Sequence, residues 1–263
     1  MEDKTVISFA NVSANYDNKH DILADVSFNI SNGSFYFLTG ASGAGKTTLL
    51  RLIFQLHKPA NGKIRLFNQD CDTLDRAGIT ALRQKMAIVF QEYSLISHMT
   101  VFDNVALPLR VRGFSNDKIK KLVTKTLEWV GLGKYANAYP MELSGGQQQR
   151  VSVARAIIIQ PEILLADEPT GNLDDENASR LMELFLQMNK IMGTTVILAT
   201  HNKKLLETYK FPVISVDNHH VSFNGAFDKK SESSESSRRW KGPQPQNYFA
   251  DLSQQLESIG KDK

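Results

Sequence analysis

The 263-residue sequence has one cysteine, Cys71, and no apolar run of the length that a transmembrane helix needs, about 18 residues. A single cysteine excludes an intramolecular disulfide and a cysteine-ligated metal cluster, which is typical of a reducing compartment. The N-terminus lacks the basic and apolar regions of a secretory signal. We therefore expect a cytoplasmic chain that reaches a membrane only through a partner, and we interpret Cys71 as a partly buried small apolar side chain.

A strong excess of one charge is also missing. The chain has 31 basic and 28 acidic residues, which gives a net charge of +3. This balance argues against a dedicated nucleic-acid binder, so we expect no nucleic-acid partner. Hydrophobic residues make up 41% of the sequence, enough to build a core in a chain of this length.

Residues 40–47, GASGAGKT, match the phosphate-loop pattern G-x-x-x-x-G-K-[ST] between an apolar run and a helix-like segment. Glycines let the backbone bend so that several N–H groups face one anion, and a helix N-terminus adds partial positive charge. The pattern predicts an ATP site in which Lys46 reaches the β- and γ-phosphates and the Thr47 hydroxyl binds Mg²⁺. The nucleotide-binding residues predicted in this segment are Gly40, Ala41, Ser42, Gly43, Ala44, Gly45, Lys46, Thr47 and Thr48.

Three further apolar runs are typical of buried parallel strands and end in polar residues; they are 86–90 before Gln91, 163–166 before Asp167 and Glu168, and 194–199 before Thr200 and His201. Gln91 suits Mg²⁺ or the attacking water, and Asp167 suits Mg²⁺. Glu168 is placed to polarise a water for attack on the γ-phosphate, and His201 is a candidate contact for that phosphate. Because parallel strands end at one sheet edge, we expect these side chains to gather beside Lys46.

A second glycine-containing helix start occurs at residues 143–147, LSGGQ, before a helix-like stretch that runs to residue 159. We expect Ser144 to cap this helix while Gly145 and Gly146 expose backbone N–H groups to a phosphate. Two anion sites in one chain are explained if they belong to two different ATP pockets of a dimer.

The order of the elements predicts an α/β fold with a mostly parallel sheet and right-handed crossovers. Residues 5–12, 22–30 and 63–67 alternate apolar with polar and predict antiparallel strands, and residues 100–130 are helical with a break at Gly113. Tyr16 lies in the turn between the first two strands. It is placed either to stack on adenine or simply to pack on its loop.

The composition changes near residue 228, so we predict a domain at 1–228 and a tail at 229–263. Residues 229–246 are polar and rich in Ser, Glu, Pro and Gly, which favours a disordered linker. Apolar residues at intervals of 3, 4 and 3 then predict a short amphipathic helix over 249–259. A helix this short is marginal alone. It packs on its own domain, binds a protein partner or frays in solution.

With these motifs in this order, the chain resembles the nucleotide-binding subunits of ABC ATPases over about residues 5–225. The segment at 143–147 is highly specific to that family. The resemblance implies a P-loop NTPase core and an ATP-hydrolysing enzyme. The matched positions are 40–47 for Walker A, Gln91 for the Q-loop, 163–167 for Walker B, Glu168 for the catalytic glutamate, Asp174 for the D-loop, His201 for the switch histidine and Tyr16 for the adenine-stacking aromatic.

The resemblance also implies a head-to-tail homodimer that sandwiches two ATP molecules. Each lies between the phosphate loop of one subunit and the residues Ser144, Gly145, Gly146 and Gln147 of the other. Residues 92–150 would form a helical subdomain, and a groove near Gln91 would receive an integral membrane permease-like partner at the inner face of the bacterial cell membrane.

Within the family, residues 37–46, 100–109 and 165–175 resemble the branch that acts in bacterial cell division and regulates peptidoglycan hydrolysis through its membrane partner. The third stretch is shared with lipoprotein-releasing and MacB-type export ATPases, so these complexes remain the alternative. Asn202 departs from the family pattern, which usually has an acid there. The departure leaves the role expected of His201 intact.

Overall fold

The fold is described from a computed structural model for residues 5–16, 21–90, 92–171 and 173–224. The predictions for Gln91, for the linker 229–246 and for the helix 249–259 lie outside these residues. The strands are β1 Thr5–Ala14, β2 Leu23–Ser31, β3 Phe35–Thr39, β4 Asn61–Leu66, β5 Gln69–Asp70, β6 Met86–Val89, β7 Ile163–Asp167, β8 Thr195–Ala199, β9 Val213–Asp217 and β10 His220–Asn224. The α-helices are α1 Lys46–Ile53, α2 Arg76–Gln84, α3 Val101–Val111, α4 Asn116–Trp129, α5 Gly145–Ile157, α6 Asp175–Met192 and α7 Lys203–Tyr209.

A six-stranded sheet forms the centre of the fold, in the order β10-β9-β3-β8-β7-β6. The pairs from β9 to β6 are parallel, and only β10 is antiparallel to its neighbour. Alternate residues of β3 enter different cores, with Phe35 and Phe37 on one face and Tyr36 and Leu38 on the other. Both faces are therefore covered, which explains the continuous apolar runs in the sequence.

A second sheet has the order β2-β1-β4-β5 and is antiparallel, which confirms the predicted N-terminal β region. Its inner face packs on the α1 side of the central sheet, where Phe9 stacks on Phe28 with ring centroids 4.5 Å apart. Cys71 follows β5 and is buried. Burial and the neighbouring carboxylates of Asp70 and Asp72 raise the pKa of its thiol to about 12, so it is not a reactive thiolate.

Helices α3, α4 and α5 pack on the other face of the central sheet. The helical region breaks at Gly113, as predicted, where φ is +78°. The hairpin of β9 and β10 and the helix α2 were not predicted from the sequence. Helix α2 fully buries only Leu82. Of the helices described above, none combines the length and the apolar character that crossing a membrane requires.

Candidate active site

A cavity of about 550 Å³ opens where β3, β7 and β8 end, and its size is typical of a site for a small ligand. Its lining brings together predicted residues from segments that are far apart in sequence. They are Tyr16, Gly40, Ser42, Gly43, Gly45, Lys46, Thr47, Thr48, Asp167, Glu168 and His201. Ile22 also lines it and was not predicted, because an apolar residue at a strand start carries no signal of binding. Ala41 and Ala44 belong to the loop but do not line the cavity.

The phosphate loop depends on glycine at two positions. Gly40 has φ of +149°, and a β-carbon there would lie 2.4 Å from the carbonyl oxygen of Val216 in β9. Gly45 has φ of +110° and precedes α1. Within the described residues no side chain caps α1, so the first N–H groups of this helix remain available to an anion.

The Lys46 ammonium lies inside the loop and donates hydrogen bonds to the carbonyl oxygens of Gly40, at 2.8 Å, and Ala41, at 3.0 Å. The next residue, Thr47, donates its hydroxyl to Asp167 Oδ2 at 2.8 Å. This bond joins the start of α1 to the end of β7. The predicted Walker A and Walker B residues are therefore in direct contact.

Asp167 is 8% exposed. Its burial raises the pKa of the carboxyl above the usual value, the hydrogen bond from Thr47 opposes the shift, and the neighbouring Glu168 carboxylate adds to it. A positive charge beside Asp167 would favour the ionised form.

Glu168 has an uncommon backbone conformation, with φ of +47°. Its N–H donates to the carbonyl oxygen of Ala199 in β8 at 3.0 Å, which fixes the residue between two strand ends. His201 Nδ1 lies 2.9 Å from Glu168 Oε2, the distance of an ion pair if the ring is protonated, but without hydrogen-bond geometry. Among the described residues, this buried oxygen has no hydrogen-bond partner. Strained backbone and an unsatisfied buried acceptor are both typical of functional sites.

Tyr16 is 55% exposed and stands at the rim of the cavity. Its hydroxyl is 3.3 Å from Thr48 Oγ1, and its ring centroid is 4.7 Å from that of His57. An exposed ring supported from behind suits base stacking. The same contacts suit simple packing on the loop, so the adenine role stays a prediction.

The predicted residues Ser144, Gly145, Gly146, Gln147 and Asp174 do not line the cavity. Ser144 caps α5 through a capping box: its N–H donates to Gln147 Oε1 at 2.8 Å, and the N–H of Gln147 donates to Ser144 Oγ at 3.4 Å. Asp174 caps α6 and accepts hydrogen bonds from the backbone and side chain of Asn177, which lower the pKa of its carboxyl. The starts of α5 and α6 adjoin each other, because a β-carbon on Gly146 would contact Asn177 and Leu173.

Asn202 caps α7, since its side chain accepts a hydrogen bond from the N–H of Leu205 at 3.3 Å. Asn and Asp are about equally good at this position of a helix. The departure from the family pattern therefore keeps the local structure that holds the end of β8.

The cavity residues do not form a metal site in which the protein supplies most of the ligands, but they fit a magnesium ion that is also bound by phosphate and water. Among the described residues, no three His, Cys, Asp or Glu side chains are grouped to hold a metal. Thr47 and Asp167 offer two adjacent oxygen ligands instead. Mg²⁺ commonly takes one or two protein oxygens and completes its shell with phosphates and water.

Comparison with known proteins decides the family. The family described as "ABC transporter" matches residues 23–171. The chain belongs to this family. The predicted P-loop fold and ABC-type ATPase activity are thereby confirmed, and the resemblance to the cell-division branch is confirmed by the relatives of this ABC ATPase.

One of these relatives is the cell division ATP-binding protein FtsE of Escherichia coli K12, 41% identical over 216 residues, which are 82% of this chain and 97% of that protein. The methionine import ATP-binding protein MetN 1 of Acinetobacter baylyi is 39% identical over 203 residues, 77% of this chain and 57% of its own length. Among solved structures, the dimeric post-hydrolysis state of the ATP-binding cassette MJ0796 bound to ADP and Pi has a TM-score of 0.77 and 33% identity, covering 84% of this chain and 100% of that chain.

Proposed function

We propose that this ABC ATPase is the ATP-hydrolysing subunit of a bacterial cell-division complex. It acts, like FtsE, through an FtsX-like membrane partner that regulates peptidoglycan hydrolysis, and it lies peripherally on the inner face of the cell membrane. The observation that carries this proposal is the 41% identity to FtsE over 97% of that protein. Residues 1–228 make the ATPase domain, with 92–150 as its helical subdomain and 229–263 as an appended tail.

The chemistry follows from the cavity. When ATP enters, the Lys46 ammonium exchanges the carbonyls of Gly40 and Ala41 for the β- and γ-phosphates, because its hydrogen bond to a negatively charged oxygen is stronger than its hydrogen bond to a neutral carbonyl. The uncapped N–H groups of α1 receive phosphate oxygens. Thr47 and Asp167, with Gln91, would hold Mg²⁺, which would supply positive charge against the phosphates.

Hydrolysis is assigned to Glu168. Its buried Oε2, which has no hydrogen-bond partner among the described residues, accepts the proton of a water molecule as the water oxygen attacks the γ-phosphorus and the bond to the β–γ bridging oxygen breaks. His201 is 2.9 Å from that oxygen and steadies the charge that spreads over the γ-phosphoryl group. The backbone of Glu168, tied to β8, fixes the direction of the carboxylate.

We assign the second helix start to a second subunit. Ser144, Gly145 and Gly146 lie outside the cavity of their own chain, and a head-to-tail homodimer would bring them to the ATP of the other. The solved structure of MJ0796, which matches 84% of this chain, is described as dimeric. ATP binding then favours the closed dimer, and hydrolysis releases it.

Mixed dimers test the head-to-tail arrangement. Lys46→Ala disables the phosphate loop of a chain and Ser144→Arg disables its α5 start, so each variant alone should be inactive. An equal mixture forms some dimers in which one pocket combines the two intact halves. We expect the mixture to recover about a quarter of the parental ATPase activity if pairing is random and the two pockets act independently, because half of the dimers are mixed and each of these has one intact pocket of two. No recovery at any ratio, with both variants folded, would show that α5 acts on its own chain.

The partner is tested by capture. Tagged Glu168→Gln protein, held in its ATP-bound state, is used to pull down proteins from detergent-solubilised native membranes. The control is Lys46→Ala, which we expect not to form the closed ATP-bound dimer. Recovery of an FtsX-like permease supports the cell-division role. Recovery of an import, lipoprotein-release or efflux permease keeps the catalytic assignment and overturns the biological one.

A further inference from the structure

Tyr93 lies two residues after Gln91 and contacts the start of α5, a role for which no sequence motif gave a signal. A β-carbon built on Gly145 would lie 2.8 Å from the Tyr93 hydroxyl oxygen and 3.8 Å from the ring carbon that carries it. The first distance is shorter than real contacts allow. The ring itself is far enough away to accept a methyl group.

Gly145 has no backbone reason to be glycine. It is the first residue of α5 and is absent from the residues with positive φ, so alanine fits its conformation and is favoured over glycine in a helix. At Gly146 the closest atom to a built β-carbon is Leu173 Cδ2 at 3.4 Å, an ordinary contact. The two glycines therefore differ: a methyl group at Gly145 requires the Tyr93 hydroxyl to move, whereas a methyl group at Gly146 is accommodated without a shift.

The backbone of Tyr93 is held in place by hydrogen bonds to its carbonyl and to that of the next residue. Arg155, almost three turns further along the same helix α5, donates to the carbonyl oxygens of Ser94 at 2.8 Å and Tyr93 at 3.2 Å. The buried Asn104 in α3 fixes the next part of the segment, since it accepts from the N–H of Ile96 and donates to three carbonyl oxygens of residues 96–100. The segment 93–100 is thus tied to the helices beneath it.

We propose that Tyr93 is a positioning residue for the α5 N-terminus: its backbone is held by Arg155, its phenol sets where Ser144, Gly145 and Gly146 lie, and Gly145 leaves the room that the hydroxyl needs. This inference rests on the proposed function, in which those residues meet the ATP of a second subunit. A shift of about 1 Å in groups that contact a reacting ligand can lower a rate by roughly 100-fold.

A double-mutant cycle in the full chain tests the collision without ATP. Gly145→Ala should lower the thermal midpoint in the parent, whereas in the Tyr93→Phe background the same change should leave it equal or raise it, because the oxygen is gone. Gly146→Ala is the matched control and should give the same shift in both backgrounds. Equal shifts for Gly145→Ala in the two backgrounds would overturn the proposal.

The same variants are then assayed for ATP hydrolysis. We expect Gly145→Ala to lower kcat roughly 100-fold with little change in KM for ATP, since the cavity of the chain itself is untouched, and the double variant to recover most of the loss. A double variant as inactive as Gly145→Ala would mean that Gly145 serves only the approach of nucleotide. If the mixed-dimer experiment fails while the thermal cycle still shows coupling, the dimer is wrong and the Tyr93 contact stands.

Discussion

The two glycine-flanked helix starts of this ABC ATPase look alike in sequence and differ in what satisfies them. At α1, Gly45 offers no cap, and Lys46 is held by the loop carbonyls. At α5, the capping box uses the N–H groups of Ser144 and Gln147. The first start is open to phosphate from within the chain.

The capping box does not use the N–H groups of Gly145 and Gly146, the two that the proposed dimer needs. One start therefore has charged side chains around it and lines the cavity. The other start, at α5, is already capped by its own side chains and leaves the N–H groups of Gly145 and Gly146 available. This difference explains why the α1 start lines the cavity at the ends of β3, β7 and β8 and the α5 start does not.

The largest effect should come from the charged side chains that only the α1 start has. We expect Glu168→Gln to lower kcat by about 100-fold or more, because general-base assistance is worth 10²–10⁴-fold, while ATP affinity stays near the parental value. Phosphate release measures the expected loss of kcat, and a separate nucleotide-binding assay measures whether ATP affinity is unchanged. Glu176→Gln is the matched control, since Glu176 is an exposed acid in the first turn of α6 paired with Arg180. A Glu168→Gln variant that turns over at the parental rate would remove the glutamate from the mechanism.

The two regions should also respond to pH with opposite signs. Burial raises the pKa of Asp167, so the folded state holds its proton to higher pH than the unfolded chain, whose Asp titrates near about 3.9. The stability of the nucleotide-free chain therefore falls as pH rises from there through the raised pKa. We expect Asp167→Asn to abolish hydrolysis yet to be more stable than the parent at pH 7, with the difference closing at lower pH. Thermal midpoints across pH measure this.

Asp174 provides the contrast for that experiment. Hydrogen bonds from Asn177 lower the pKa of its carboxyl, so it contributes stability above the unfolded pKa and loses that contribution as pH falls through the folded value. Asp174→Asn should therefore be slightly less stable than the parent at neutral pH. If Asp167→Asn and Asp174→Asn shift stability in the same direction at pH 7, the electrostatic contrast between the two regions is wrong.

The order of motifs predicted the sheet edge and the residues that meet there, because buried parallel strands have apolar runs that end in the functional side chains, as at Asp167 and Glu168. The sequence did not indicate the left-handed backbone of Glu168 or the contact of Tyr93 with Gly145. Both depend on the distance between segments joined only by tertiary packing, and φ at a non-glycine residue has no sequence signal of its own. The hairpin β9–β10 was also missed, although Asp217 and Asn218 are common turn residues.

A moderate effect is expected on stability, where removing a serine hydroxyl should cost more at the α5 start than at the α1 start. Ser144→Ala removes the cap of α5 and should lower the free energy of unfolding by about 1 kcal/mol. Ser42→Ala, in the phosphate loop, removes a hydroxyl that caps nothing at α1 and should change the free energy by less than about 0.5 kcal/mol. Denaturant unfolding without nucleotide measures both. Equal losses would mean that the α1 start is also capped by a side chain, against the contrast drawn between them.

The smallest effect concerns a third helix start, that of α7 beside His201. Asn202→Asp keeps an equally good cap and adds a negative charge at a helix N-terminus, so we expect a change of no more than about 1 kcal/mol, in the stabilising direction, and parental ATPase activity. Asn202→Ala removes the acceptor for the N–H of Leu205 and should cost about 1 kcal/mol.

The ATPase activity of the two variants shows whether this cap also positions His201, since α7 closely follows the strand that ends near this histidine. If kcat falls with Asn202→Ala and not with Asn202→Asp, the cap holds the histidine in place. A drop in kcat with Asn202→Asp would instead mean that the residue acts on the site through its charge, and that the asparagine is a functional departure from the family.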